Sequence, residues 1–203
     1  MRKTLQSVLQ VIFLALFVLL VINGNIQLWM GLFLLGIALS FLLGRVYCGW
    51  LCPINTVMKK VTRAKKKLKI NNLKTPPFLT NPWVRIAALG LFIAMFVFVM
   101  RTGRQLPVLP ALFILGVILT LFFSEDLWHR YLCPYGTVMS LPGAKARHTI
   151  HINQDNCNNC GACSRVCPAQ AVIKDEYHSI VKRDCLICLQ CIDTCNQNAI
   201  SYQ

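Results

Sequence analysis

Eight cysteines near the C-terminus constrain this chain more than any other feature: Cys157, Cys160, Cys163 and Cys167, then Cys185, Cys188, Cys191 and Cys195. Each set reads C-x2-C-x2-C-x3-C, and the sets are offset by 28 positions. Three thiolates so closely spaced wrap the corner irons of a cubane while the intervening amides point at its sulfides, and the fourth cysteine of each run reaches across to the other cluster. The spacing predicts two [4Fe-4S] clusters. One is held by Cys157, Cys160, Cys163 and Cys195, the other by Cys185, Cys188, Cys191 and Cys167. The competing readings are weaker, because disulfides would be reduced on a cytoplasmic face and structural zinc takes separated C-x2-C pairs rather than four cysteines in an eleven-residue run.

The 28-residue repeat extends beyond the ligands. Ala171-Val172 matches Ala199-Ile200, and β-prone runs at Thr149–Ile152 and Ser179–Lys182 lead into the motifs. Residues 148–203 therefore read as a small α+β domain with a pseudo-twofold. They resemble the bacterial two-cluster ferredoxin family, with one departure: Asn196 follows Cys195, whereas Pro168 follows Cys167.

The preceding residues, 1–147, are chemically different. Hydrophobic residues make up 56% of the chain and charged residues only 14%, and the 14 basic residues before Glu125 meet no acidic one. Apolar stretches at Val8–Ile22, Ile26–Gly44, Val84–Met100 and Pro107–Phe123 approach the roughly 20 residues that cross a bilayer, predicting four transmembrane helices as a duplicated hairpin. The first stretch also has the charge pattern of a secretory signal, with Arg2 and Lys3 ahead of it. Asn23-Gly24-Asn25, however, offers no small-x-small cleavage site and a second apolar run follows, so a retained helix is expected.

Positive charge near helix ends stays on the cytoplasmic side. The loop after the second stretch carries Lys59, Lys60, Arg63, Lys65, Lys66, Lys67, Lys69 and Lys74, against Arg101 and Arg104 in the opposite loop. This places both termini and the cysteine-rich tail in the cytoplasm of a multi-pass protein of the cell membrane. A charge block beside a membrane helix is a topology determinant or a contact with anionic lipid, so no nucleic-acid partner is expected. No phosphate loop, Ser-His-Asp set or flavin attachment motif is present, which leaves nucleotide or flavin chemistry to a partner.

The other three cysteines lie in a second repeat. Tyr47-Cys48-Gly49-Trp50-Leu51-Cys52-Pro53-Ile54-Asn55-Thr56-Val57-Met58 aligns with Trp128-His129-Arg130-Tyr131-Leu132-Cys133-Pro134-Tyr135-Gly136-Thr137-Val138-Met139, identical at six of twelve positions. Each copy follows the second apolar stretch of a hairpin. Cys48 and Cys52 are expected on one helix face, with Pro53 interrupting or restarting the helix. Symmetric packing would bring Cys48, Cys52, Cys133 and His129 together as ligands of an additional iron-sulfur or zinc centre. The bland alternative is that the cysteines are buried small hydrophobes. Gly31, Gly36, Gly90 and Gly116 are expected to permit close helix contacts. His148, His151 and His178 are expected to be surface or structural residues.

C-x3-C-P at the end of an apolar helix, a second such motif after another hairpin, a basic loop and a terminal two-cluster ferredoxin resemble the NapH-type membrane ferredoxins. The same membrane module occurs in NosR and in copper-oxidase assembly proteins. This chain departs from the pattern at His129-x3-Cys133-Pro134. The resemblance implies electron transfer between the quinol pool or a cytoplasmic donor and a partner oxidoreductase, as in a quinol dehydrogenase component. The partner would be a ferredoxin, flavoprotein, cytochrome or reductase. Arg45, Tyr47, Trp50, Trp128, His129 and Arg130 are candidates for a quinone site, set against their ordinary role as interfacial residues. The copper-oxidase assembly relatives imply a second reading, a maturation or regulatory protein whose thiols or clusters reduce or deliver a metal for another redox enzyme.

Overall fold

The computed structural model describes all residues except Met1, Lys74 and 103–106, and describes Arg2 through its backbone alone. Lys74 and Arg104, two of the charges used for topology, lie outside the described residues. Four apolar helices follow the predicted stretches: α1 (Arg2–Ile22), α2 (Gln27–Leu43), α5 (Pro82–Thr102) and α6 (Val108–Phe122). The spans Lys3–Ile22 and Pro82–Thr102 are long and apolar enough to cross a membrane, while α2 and α6 are shorter, at 17 and 15 residues. On α2 the buried residues Trp29, Phe33, Gly36 and Ser40 recur at helical spacing, and most other side chains face outward.

The cysteine motifs break the helices rather than riding on them. After α2, Gly44 turns the chain at φ 69°, and α3 (Val46–Trp50) carries Cys48. Cys52 is extended (φ −65°, ψ 118°), and Pro53 opens α4 (Pro53–Lys67). In the second copy a π-helical turn (Leu127–Leu132) carries His129, Cys133 is extended (φ −73°, ψ 109°), and Pro134 opens α7 (Pro134–Ala144). Cys48 and Cys52 therefore do not share one helix face: a proline at the first helical position, where its missing N–H costs nothing, starts a new helix after each motif. The basic run Lys59–Lys67 likewise is helix, not loop. Its Lys65 is buried and its ammonium donates 2.9 Å to the Thr120 carbonyl in the last turn of α6.

The two copies exchange partners, α4 packing on α6 and α7 on α2. The glycines explain how the helices come this close. A Cβ on Gly36 would sit 2.8 Å from Met139 and 3.0 Å from Tyr47, and one on Gly116 would sit 3.0 Å from Ile54 and Trp128. Gly31 and Gly90 face open space, so the close-contact expectation holds for one glycine of each hairpin.

In the C-terminal domain, β1 (Ile150–Ile152) pairs antiparallel with β4 (Ile200–Tyr202), and β2 (Val172–Lys174) with β3 (His178–Ile180). The second β-run begins one residue earlier than expected and ends at Ile180. Short helices α8 (Ala162–Val166) and α9 (Gln190–Thr194) carry the third cysteine of each run, Cys163 and Cys191. The domain docks on the cysteine motifs of the helical part. Gly49 is pressed against the Leu186 carbonyl, where any Cβ would collide, and the Trp50 indole donates 3.0 Å to the Ile187 carbonyl. Cys48, Cys133, Met139, Leu186 and Cys188 consequently belong to one continuous core.

Candidate iron-sulfur site

The ferredoxin-like domain has two small cavities of matching size. Cys157, Cys160, Cys163 and Cys195 line one, and Cys167, Cys185, Cys188 and Cys191 line the other. Each cavity thus combines three cysteines of one run with the last cysteine of the other. The loops that present them depend on left-handed backbone at Asn159, Gly161 and Gln170, repeated 28 positions on at Ile187, Leu189 and Asn198. A β-branched residue such as Ile187 at φ 51° is strained, and strain of this kind persists where the surroundings impose it. The resulting turns aim amides at sulfur. Ala171 N–H donates 3.2 Å to Cys167 Sγ, and Ile187, Gln190 and Ile192 amides serve Cys185, Cys188 and Cys191.

A cubane needs four cysteines, mostly apolar walls and N–H groups directed at sulfur; both cavities supply the cysteines and the walls, the second an amide to each of its four sulfurs and the first the Ser164 amide to Cys163. Burial pushes the bare Cys185 thiol up to about 12, so iron-sulfur loading here would release protons. The cavities differ in position. Cys160 at the first is exposed, whereas Cys185, Cys188 and Cys191 at the second are buried against the helical part. His178 lines the first cavity, buried and hydrogen-bonded to Asn159, a closer relation to the site than its sequence suggested.

At the membrane-edge repeat, Cys48, Cys52 and Cys133 lie within electrostatic reach of one another. Cys52 and Cys133 precede the prolines that open α4 and α7, so the first amides of each helix face a sulfur: Ile54 and Asn55 for Cys52, Tyr135 and Gly136 for Cys133. A helix N-terminus stabilises negative charge. Burial nevertheless raises both thiols, Cys133 to about 11. Cys48 Sγ stands 3.7 Å from Met139 Sδ, a thioether contact that the repeat alignment did not reveal.

His129 is buried, its Nε2 has no hydrogen-bond partner, and burial with the positive charges of Arg45 and Lys59 lowers it to about 3, leaving a neutral imidazole. Among the described residues, no three His, Cys, Asp or Glu side chains converge closely enough to hold a single metal ion. A cluster, whose thiolates bind separate irons, does not require that convergence.

The residues proposed for a quinone slot fill other roles. Tyr47, Trp128 and His129 are core residues, Trp50 binds the ferredoxin loop, and the Arg130 guanidinium stacks 5.6 Å above Tyr131. None of them lines the large apolar cleft of about 660 Å³, which opens at the opposite ends of the helices beside Met30, Phe92 and Leu109. Glu125 escaped the sequence reading altogether. It is buried at the start of the second motif with Oε2 unpartnered, near Lys59 of α4.

Comparison with known proteins points to iron-sulfur binding. A 4Fe-4S binding domain family matches twice, at 25–71 and 105–153, each match spanning one membrane-edge motif, and a second 4Fe-4S binding domain family matches at 149–172. An uncharacterized protein of Methanocaldococcus jannaschii is 30% identical over 176 residues, covering 83% of this chain and 68% of its own. Ferredoxin-type protein NapH of Haemophilus influenzae is 28% identical over 186 residues, 78% of this chain and 62% of its own. The putative electron transport protein YccM of Escherichia coli is 25% identical over 182 residues, 78% of this chain but only 51% of its own. No solved structure matches. With its paired membrane-edge motifs, its 4Fe-4S binding domains and these relatives, the chain belongs to the NapH-type family of membrane ferredoxins.

Proposed function

We propose that the protein is a membrane-bound electron relay with four helix crossings and both termini in the cytoplasm, carrying electrons between a cytoplasmic or quinol donor and a partner oxidoreductase. Two [4Fe-4S] clusters supply one-electron chemistry, the outer held by Cys157, Cys160, Cys163 and Cys195, the inner by Cys185, Cys188, Cys191 and Cys167. The observation that carries the reading is the pair of equal cavities, each lined by four cysteines drawn from both runs. All eight ferredoxin cysteines are used as ligands, so no coordination position is left open for substrate and the domain conducts rather than transforms. The outer cluster, beside exposed Cys160, is the contact for a soluble partner. The inner one shares its core with Cys48 and Cys133, which with Cys52 and His129 would hold a further cluster at the membrane edge.

A second reading draws support from the Cys48–Met139 contact of 3.7 Å. Thiols and a thioether together are soft ligands of the kind that select a monovalent copper ion. On that reading the edge motif reduces or delivers a metal for another enzyme.

Iron and acid-labile sulfide analysis with EPR on anaerobically purified protein, reduced by a quinol or a low-potential ferredoxin, tests the relay. The expected wild type holds more than about eight irons, falling to about eight in Cys52→Ala/Cys133→Ala. About eight irons in both would remove the edge cluster and favour the thiol reading. Clusters that neither donor reduces would sink the relay.

A further inference from the structure

Arg45 is 1% exposed and stands between the two sulfur-rich regions. Its Nη1 donates to the carbonyls of Arg183 (3.3 Å) and Asp184 (3.4 Å), the two residues ahead of Cys185, and its Nη2 lies 3.9 Å from Cys48 Sγ. Among the described residues it forms no ion pair. The carboxylate of Asp184, whose carbonyl Arg45 meets, is engaged instead by Arg85 at 3.2 Å. A buried guanidinium without a carboxylate is costly and calls for negative charge close by.

The surroundings are shaped to keep it there. A Cβ on Gly136 would collide with Nη2, and one on Gly143 would sit 3.1 Å from the Arg45 stem. At the place equivalent to Gly136, the first copy of the repeat has Asn55, which instead bonds the Cys48 carbonyl at 2.7 Å. Helix α7 has thus been cut away around a cation whose Nη1 and Nη2 meet the inner-cluster loop and Cys48 sulfur, and whose Nε has no hydrogen-bond partner.

We propose that Arg45 is the counter-cation shared by the membrane-edge thiolates and the inner cluster, raising the reduction potential of the inner cluster relative to the outer one. This rests on the assignment of the inner cluster to Cys185, Cys188, Cys191 and Cys167. Reduction adds one negative charge to a cluster, and a fixed cation in a low-dielectric wall stabilises that charge far more than an exposed one would. Arg45 is a positioning residue: it touches the loop and a thiol, not a substrate.

The test is an EPR-monitored redox titration of purified full-length protein, with the outer cluster's signal identified by its loss in Cys163→Ala. Arg45→Gln is expected to shift the inner cluster to a more negative potential and leave the outer one in place, with iron content unchanged. Arg45→Lys should recover most of the shift, because the charge survives. The displacement should also persist at 1 M salt, since a buried charge is poorly screened. Gly136→Ala serves if Arg45→Gln does not fold. Its new methyl collides with the movable end of Arg45 and makes ordinary contacts with the His129 carbonyl and Cys133 Cβ, so the charge is kept but pushed off its seat, and a smaller shift of the same sign is expected. Unmoved potentials at full iron, or equal shifts of both clusters, would overturn the role. A wild type with only about four irons would instead remove the inner-cluster assignment and Arg45's role with it.

Discussion

The molecule contains two internal repeats, and they have diverged to different degrees. In the ferredoxin-like part the copies still superpose feature by feature. The four cysteines, both short helices, the strands and all three left-handed positions recur 28 residues on. Even the exchanged bond between copies is paired, Asn153 N–H to the Ala199 carbonyl at 2.7 Å and Val181 N–H to the Ala171 carbonyl at 2.8 Å. In the membrane-edge repeat the scaffold is kept and the chemistry is not. Cys52 and Cys133 share backbone geometry, Thr56 and Thr137 bond back to the cysteine carbonyls at 3.0 and 3.1 Å, and Ser40 and Thr120 bond back to Gly36 and Gly116 at 2.7 and 2.8 Å. Yet in the alignment Cys48 corresponds to His129, Tyr47 to Trp128, and Asn55 to Gly136. If the eight cysteines ligate clusters as proposed, they have little freedom to change, whereas a packed interface tolerates any pair of residues that fills the same space.

Removing ligands breaks the comparison most severely. Cys163→Ala and Cys191→Ala should each lose about four irons, the same loss by symmetry. Only Cys191→Ala should also loosen the docking of the domain on Gly49 and Trp50, seen as faster hydrogen exchange in α3. Equal exchange in both variants would mean that the inner cavity does not organise that contact.

Restoring symmetry is a gentler probe. His129→Cys completes the second C-x3-C-P. Histidine ligation raises a cluster's potential over cysteine ligation. The variant should therefore shift any membrane-edge signal to lower potential without altering the ferredoxin signals. An unchanged spectrum would remove His129 from the ligand set.

The smallest effect is expected where the copies agree. Ser40→Ala and Thr120→Ala each delete one bond to the residue's own helix, worth about 1 kcal/mol, and should lower thermal stability by similar amounts. A large difference between them would show that the two hairpins do not bear the fold equally.

Much of this was legible in the residues. The cysteine spacing announced which cysteines line each cavity, three from one short, tightly turned loop and the last from the other run. Hydropathy located four apolar helices to within a few residues, and the aligned Cys-Pro motifs announced the duplication. The expectation of one helical face for Cys48 and Cys52 failed because proline begins a helix more readily than it continues one. Gly31 and Gly90 were indistinguishable in sequence from Gly36 and Gly116, since only a neighbour's approach gives a glycine its meaning.

The sequence by itself determined the donor atoms and their spacing, the apolar lengths and the two repeats, all properties of near neighbours along the chain. Only the tertiary structure decided that α4 and α7 exchange hairpins, that Met139 reaches Cys48 across 91 positions, and that Arg45 lies buried against the loop ahead of Cys185. Those relations join residues far apart in sequence, and no local pattern encodes them. They follow from filling one core without voids, a condition on the whole chain at once.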